Sequence, residues 1–487
     1  MPKIMKNIVE VIRLERDAHL DRPAFFDGKR RITYGGLFTS VDAVSEALGK
    51  LSVKVGSRVA LLCDDSIDYV ILTLAVLKLS AVIVPVPFAS SKQEIKTVLE
   101  RMKVGFLIFE KGAYQSFKAK RLKINSCLDK EFFCLSYREE AARATRFFSM
   151  NPAFIRFSSG TTGSNKGVII SHQAIIERTD AADKALRITR RDNIIWVLSM
   201  SFHFVVTILL FLRRGATIIL GGNPFPVRLL AALKKHKPTF IYASPLHYNL
   251  LTRLGSVLPE DLAKVRVAVS TAVGLPLKIA RDFYAKFGLT LNQAYGIIEV
   301  GLPFINLSQD ISKLGSVGRI LPDYKIKLVN KDNNGAGEIY LKGKGFFSAY
   351  FWPWKGAPSV MKNGWFSTGD IGRIDDDGFL FILGRAKNVI NFNGMKIFPA
   401  EVETVLNQYP GIEESKVYAV THPEYGNLPS ADLVLRKSCE EIFDTQALRS
   451  FCYRHLAKYK VPKEFRCVEK LEKTLSGKLK RETIKGK

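Results

Sequence analysis

The strongest constraint on the fold is a repeated alternation between short, β-branched apolar runs and segments of helical period. "SRVALLC" (57–63) is followed by "IDYVILTLAVLKL" and then by "SAVIVPV" (80–86). Farther along, "ATIILGG" (216–222), "TFIYASP" (239–245) and "VRVAVST" (265–271) are interleaved with "VRLLAALKKH" and "LPLKIARDFYAKFG". Strands that are apolar on both faces, with helices between them, specify parallel sheets buried under helices on either side. The bulk of the chain reads as α/β.

From about residue 313 the texture changes. Shorter strands alternate with glycine-containing turns at 332–335 and 375–378, which predicts a β-rich subdomain over about 313–383. After "GRAKNVI", two helix candidates, "PAEVETVLNQYP" and "TQALRSFCYRHLAKY", lie among short strands and predict a small α+β domain. A chain of 487 residues exceeds what one core normally serves, so this division suits its length. The expected domains are a core over 1–386 and a mobile C-terminal domain over 387–487.

Composition excludes several classes. The most apolar window, "YVILTLAVLKLSAVIVPVPFA" (69–89), is long enough to span a bilayer, but Lys78 interrupts it and Pro85 and Pro87 break its end. It reads as a buried helix followed by a buried strand. The N-terminal stretch lacks an uninterrupted apolar core, so no secretory signal is expected. Six scattered cysteines form no C-x-x-C pair and no zinc-spaced cluster, and read as reduced thiols in a cytoplasmic protein. The net charge of +27, from 73 Lys and Arg against 46 Asp and Glu, is dispersed without a basic, aromatic-interleaved stripe, so no nucleic-acid partner is expected. It is either a solvated basic surface or a device for steering polyanions.

"SSGTTGSNKG" (158–167) crowds glycines, hydroxyls and a lysine between two apolar β-type runs, "AFIRF" and "GVIIS". Lys166 stands three residues after Gly163, so the spacing fails the Walker pattern. By composition the stretch is either a phosphate cradle or a mobile turn. Further stretches follow in order: "QAYGIIE" (293–299), "GWFSTGD" (364–370), "GRAKNVINFNGMKIFPAEVE" (384–403) and "EKTLSGKLKR" (472–481). Each is weak by itself, and the ordered set is specific.

With that set the chain resembles the adenylate-forming superfamily, which contains acyl-CoA synthetases, nonribosomal peptide synthetase adenylation domains and beetle luciferases. The resemblance covers nearly the whole length. It implies that a carboxylate attacks the α-phosphate of ATP to give an acyl-adenylate and pyrophosphate, and that a thiol then displaces AMP. Negative charge builds in both halves, so donors, a cation and a lysine are what the site must supply.

The resemblance implies roles residue by residue. Ser158, Ser159, Gly160, Thr161, Thr162, Gly163 and Lys166 would hold the β- and γ-phosphates, and Thr161 with Glu299 would bind Mg²⁺. Tyr295, within Gln293, Ala294 and Gly296, would pack against adenine, with Ala272 in the opposite wall. Asp370 and Arg385 would contact the ribose. Lys478 would bridge the carboxylate and α-phosphate, although by composition it is one of many lysines in a basic tail. Lys387 matches the hinge, and Gly394 the thiol-tunnel loop. His203, in "SMSFHFVVTILLFL", matches the mouth of the carboxylate pocket. The run after it is either a fatty or aryl pocket or a buried helix.

The expected substrates are therefore ATP and a small hydrophobic carboxylic acid, fatty or aryl. The acceptor is coenzyme A or the phosphopantetheine of an acidic acyl carrier protein, and the assembly a monomer or homodimer. A non-catalytic adenylate-binding scaffold is the third reading. The sequence departs from the family at Asn165, at Glu472 and at Ile298, each where relatives carry proline, proline and threonine respectively; the stretch from His203 to Gly215 is also short. Loss of the threonine hydroxyl removes a donor whose removal can cost about 2.7–4 kcal/mol in the transition state.

Overall fold

A computed structural model describes residues 6–114, 119–122, 127–137, 144–158, 166–392, 395–422, 426–436, 443–474 and 479–480. Two nine-stranded sheets dominate. In the first, the strands Arg58–Leu62, Val82–Val86 and Phe106–Glu110 pair in parallel, and Pro152–Ser158 joins them in parallel beside Val82–Val86. In the second, Pro23–Phe26, Thr217–Leu220, Asn193–Trp196, Phe240–Ala243, Val267–Ser270 and Leu291–Ile297 run parallel in that spatial order. Antiparallel strands close the edges of both.

The helix Ile67–Lys78 shows why the apolar window is not a membrane span. Ser66 caps its N-terminus through a bond from the Tyr69 N–H, and every residue from Ile67 to Leu77 is buried. It lies with His172–Leu186 and Leu209–Arg214 in one core shared by inward faces of both sheets. The outer faces are covered in turn, one by Lys92–Arg101 and the other by Val227–His236, Pro245–Arg253 and Leu277–Phe287. Five layers leave the central strands no solvent face, and this accounts for their unbroken apolar runs. Among the described residues no helix is long and apolar enough to cross a membrane.

The β-rich region holds a four-stranded antiparallel sheet of Tyr324–Val329, Gly337–Gly343, Phe366–Ile374 and Leu380–Arg385. The turns at 332–335 and 375–378 close its first and last hairpins, their Asp332 and Asp375 side chains accepting backbone N–H groups. A further five-stranded sheet begins at Ile390–Phe392 and carries its own core with the helices Pro399–Leu406 and Thr445–His455. Between the two sheets stands one short turn, Ala386–Asn388, which contains Lys387.

The run after His203, open between an acyl pocket and a buried helix, is helical and largely buried, with one irregularity. The apolar run after His203 is not a continuous α-helix: Met200–His203 passes into a π-helical turn, Phe204–Ile208, before Leu209–Arg214 resumes α geometry. The Leu209 N–H bonds back to the Phe204 carbonyl, the i to i+5 spacing of a π-turn. Gly215, at φ 74°, ends the run in the left-handed region that glycine adopts without a Cβ penalty.

Candidate active site

The strand Leu291–Ile297 leaves the second sheet and presents Tyr295 toward the β-rich subdomain. Gly296 is required there, because a Cβ at this position would lie 2.5 Å from the Gly301 carbonyl oxygen. The Tyr295 hydroxyl donates to Asp370 Oδ2 at 2.5 Å, and Arg385 Nε pairs with Asp370 Oδ1 at 2.8 Å. Asp370 and Arg385 are cross-strand partners in register, so the hairpin itself makes their pairing. Thr368 fixes both ends of the pair: its hydroxyl accepts the Asp370 N–H at 3.0 Å, and its carbonyl accepts from Arg385 Nη1 at 2.9 Å. Burial, followed by the Asp370 charge, holds the Tyr295 phenol well above its ordinary pKa, so it remains a donor.

Four residues along from Tyr295, Glu299 forms a second polar group. Its Oε1 accepts the Tyr350 hydroxyl at 3.0 Å. The Tyr350 ring lies 4.6 Å from Lys166 Nζ, a cation–π distance. Tyr350 comes within reach because Ala349–Tyr350 adds to the first sheet beside Lys166–Ser171, with Tyr350 opposite Val168. The Glu299 turn is clamped from behind: Arg178 donates to the Ile298 carbonyl at 2.8 Å and to the Glu299 carbonyl at 2.9 Å. The Phe347 N–H adds a third bond, to the Glu299 carbonyl at 2.7 Å. A carboxylate held this firmly on the rim of a polar group has the donor chemistry of a hard-cation ligand.

Pro152–Ser158 and Lys166–Ser171 pair antiparallel, Ser158 opposite Lys166, so the glycine-rich stretch does connect two strands. Ser159, Gly160, Thr161, Thr162 and Gly163 lie outside the described residues, as do Gly394 and Lys478. Ala272 follows the strand Val267–Ser270 at φ 74°, and Gln293 and Ala294 lie on the strand that carries Tyr295. Ser270 Oγ and Gln293 Oε1 are buried with no hydrogen-bond partner among the described residues. His203 sits half-buried where the α-helix turns into the π-turn, its carbonyl accepting from the Thr207 hydroxyl. Lys387 has its pKa lowered, first by burial and then by neighbouring Arg385.

The structure thus joins Tyr295 to Asp370 and Arg385, and Glu299 to Tyr350 beside Lys166. Tyr350, Thr368 and Arg178 were not among the residues singled out from sequence. Tyr350 and Arg178 lie outside every motif quoted above, Thr368 lies inside "GWFSTGD" without a role of its own there, and their partners lie 51, 121 and 17 residues away.

The pattern of the AMP-binding enzyme family matches residues 14–351, and that of the AMP-binding enzyme C-terminal domain matches residues 401–478. A 2-succinylbenzoate–CoA ligase of Bacillus pumilus (strain SAFR-032) is 29% identical over 483 residues, covering 96% of this chain and 95% of its own. The putative acyl–CoA ligase YdaB of Bacillus subtilis (strain 168) is 25% identical over 480 residues and covers 94% of each chain. Among solved structures, o-succinylbenzoate CoA synthetase (MenE) from Bacillus subtilis, in complex with the acyl-adenylate intermediate OSB-AMP, superposes with a TM-score of 0.81 at 25% identity, over 98% of this chain and 99% of that one. ATP-bound MatB from Rhodopseudomonas palustris shares the fold, with a TM-score of 0.82 at 22% identity and 97% of each chain covered. The chain belongs to the AMP-binding enzyme family, within the adenylate-forming superfamily that includes the AMP-forming acid–thiol ligases.

Proposed function

We propose that the protein is an AMP-forming acid–CoA ligase, which activates a carboxylic acid with a substantial apolar part and transfers the acyl group to coenzyme A. The observation that carries this reading is the Tyr295–Asp370–Arg385 group with Glu299 one turn along. It offers an aromatic face suited to adenine, a carboxylate suited to the ribose hydroxyls and a carboxylate suited to a hard cation. The relatives named above as CoA ligases support the same acceptor.

In this mechanism the hydroxyls and N–H groups of Ser158 to Gly163, with Lys166, hold the departing pyrophosphate. Glu299 and Thr161 supply a carboxylate and a hydroxyl for Mg²⁺, which when bound would neutralise phosphate charge. Asp370 accepts from the ribose hydroxyls while Arg385 keeps it oriented, and Tyr295 covers adenine. His203 stands at the mouth of the acid pocket, which the apolar π-turn continues. Lys478 stabilises the charge developing between the carboxylate and α-phosphate. For the second half, residues 387–487 turn about Lys387 and bring the loop at Gly394 toward the pantetheine path, carrying Lys478 away.

The surface charge of +27 favours one variant of this reading, in which the acceptor thiol is a phosphopantetheine on an acidic carrier protein. One experiment tests all of these. The protein is incubated with ATP, Mg²⁺ and a panel of fatty and aryl acids, pyrophosphate is followed, and coenzyme A or holo carrier protein is then added. Pyrophosphate followed by acyl-CoA is the expected outcome; thioester on the carrier alone would move the acceptor, and no pyrophosphate with any acid would favour a non-catalytic scaffold.

A further inference from the structure

The helical turn that carries His203 is too short to hold its own position. Met200–His203 has four residues, Ser199 before it supplies no side-chain cap, and the π-turn follows it. One turn closes too few hydrogen bonds to offset the ordering of its backbone, so tertiary contacts fix where it lies. Three come from the first sheet. The Ser201 hydroxyl donates to the Val86 carbonyl at 3.4 Å, Arg156 Nη2 donates to the Phe202 carbonyl at 2.6 Å, and the Met200 N–H donates to Asp65 Oδ1 at 2.8 Å. The carbonyl does not ionise, and the guanidinium stays charged with a pKa of about 10. Asp65 is left as the contact whose charge changes near neutral pH.

Asp65 follows the strand Arg58–Leu62 and lies partly buried in the wall of a cleft of about 240 Å³, which has room for water and so for proton exchange with solvent. Asp27, Asp64, Asp68, Asp129, Lys130 and Arg228 also line this cleft. Arg30 pairs with Asp68 and Asp129, and Lys130 pairs with Glu110. From the helix Ile67–Lys78 comes Tyr69, which stands beside both Asp65 and Arg156. No cation pairs with Asp65 itself among the described residues. Burial raises its carboxyl to about 7; the Met200 N–H opposes the rise and the Asp64 charge adds to it. Below that pH the Met200 N–H is held by a neutral group.

We propose that Asp65 is a positioning residue for the acid substrate: acting through Met200 it fixes the turn that carries His203, and it serves best while uncharged, so that acid binding weakens as Asp65 ionises. This rests on the ligase reading above, in which His203 stands at the mouth of the acid pocket. A neutral Asp65 accepts the Met200 N–H without placing a charge behind the incoming carboxylate. Once ionised, it puts an unpaired negative charge at the start of the turn that ends at His203. In surroundings less polarisable than water that charge repels a carboxylate at the mouth, while a neutral nucleotide site farther off is little affected.

The test follows ATP-dependent pyrophosphate release with whichever of octanoate, benzoate and 2-succinylbenzoate reacts fastest, all of them ionised across the range used. From about pH 6 to 8.5 the wild-type KM for the acid should rise by about 3- to 10-fold, as expected for a like charge appearing one or two helical turns away, while the KM for ATP moves by less than about 2-fold. Asp65→Asn keeps the acceptor and cannot ionise, so its KM for the acid should stay at the low-pH wild-type value throughout. Asp65→Ala removes the acceptor and should raise the KM for the acid by about 10-fold at every pH. His203 is the other titratable group on this turn, and a rise that persists in Asp65→Asn belongs to it and overturns the inference. A wild-type KM that is flat across neutral pH overturns it too. An Asp65→Ala protein whose KM values for acid and ATP rise together would make Asp65 a structural residue, with the same result; if that protein does not fold, the Asp65→Asn profile decides alone. In each of these cases the ligase reading stands. No pyrophosphate from any of the acids would overturn that reading, and this inference with it.

Discussion

Tyr295 and Asp370 are joined by a phenol–carboxylate hydrogen bond of 2.5 Å across two sheets, one from the α/β core and one from the β-rich subdomain. Arg385 takes the other carboxylate oxygen at 2.8 Å. The carboxylate proposed to bind ribose is therefore oriented from both sides. A nucleotide hydroxyl would share an oxygen with the tyrosine or replace it.

This arrangement separates the two side chains by mutation. Asp370→Asn keeps the shape but removes the charge from the bonds to ribose and to Arg385. Hydrogen bonds to charged groups contribute about 1.5–3 kcal/mol, so kcat/KM for ATP should fall by roughly 10- to 100-fold. Tyr295→Phe keeps the ring over adenine and frees Oδ2, and the KM for ATP should move by less than about 3-fold. ATP titration of pyrophosphate release decides; equal losses in the two variants would contradict a direct ribose contact by Asp370.

Tyr350 is expected to act by positioning Glu299. Tyr350→Phe deletes one hydrogen bond to a carboxylate, about 1.5–3 kcal/mol, and should raise the Mg²⁺ concentration needed for half-maximal adenylation by about 10-fold or more. Thioester formation from supplied acyl-adenylate should be unaffected. A drop in maximal rate with unchanged Mg²⁺ dependence would place Tyr350 outside the cation site.

Lys478→Ala should abolish adenylation while sparing thioester formation from supplied acyl-adenylate, since the lysine is assigned to the first half-reaction only. Loss in a preorganised charge-stabilising site is on the order of 10²- to 10³-fold in kcat. The two half-reactions are assayed separately, and matching losses in both would remove the assigned role.

Asp65, which holds the first residue of the helix Met200–His203, gives stability a pH dependence of definite sign. Burial raises its carboxyl from an ordinary 3.8 to about 7; the Met200 N–H, bonded at 2.8 Å, opposes this, and the neighbouring Asp64 charge adds to it. Between these pH values the folded chain holds a proton that the unfolded chain has released, so the contribution of Asp65 to stability falls as pH rises and stays low above about 7. His172 runs the other way: burial lowers its pKa from 6.5 to about 4, and its contribution rises with pH over that span. The Asp65→Asn variant isolates the first effect. Its melting temperature relative to wild type should climb from pH 4 to 7 and then level, by about 2 °C or more. A difference independent of pH would mean that Asp65 is not the titrating group.

Much of the scaffold was legible because its causes are local or periodic. Strands buried on both faces, such as Arg58–Leu62 and Phe240–Ala243, leave continuous apolar runs, and the hairpins at 332–335 and 375–378 are announced by Asp and Gly. The π-turn at Phe204–Ile208 was not legible, since it differs from an α-helix only in which carbonyl each N–H reaches.

The sequence by itself determined the class of fold, the order of the motifs and the family, because those depend on residue types at fixed spacings along the chain. It also named Tyr295, Glu299, Asp370 and Arg385. Only the tertiary structure decided that Asp370 meets Tyr295 and that Tyr350 holds Glu299 beside Lys166. These are contacts between sheets or between distant strands. Their energies depend on burial and distance, and neither quantity is written in a local pattern.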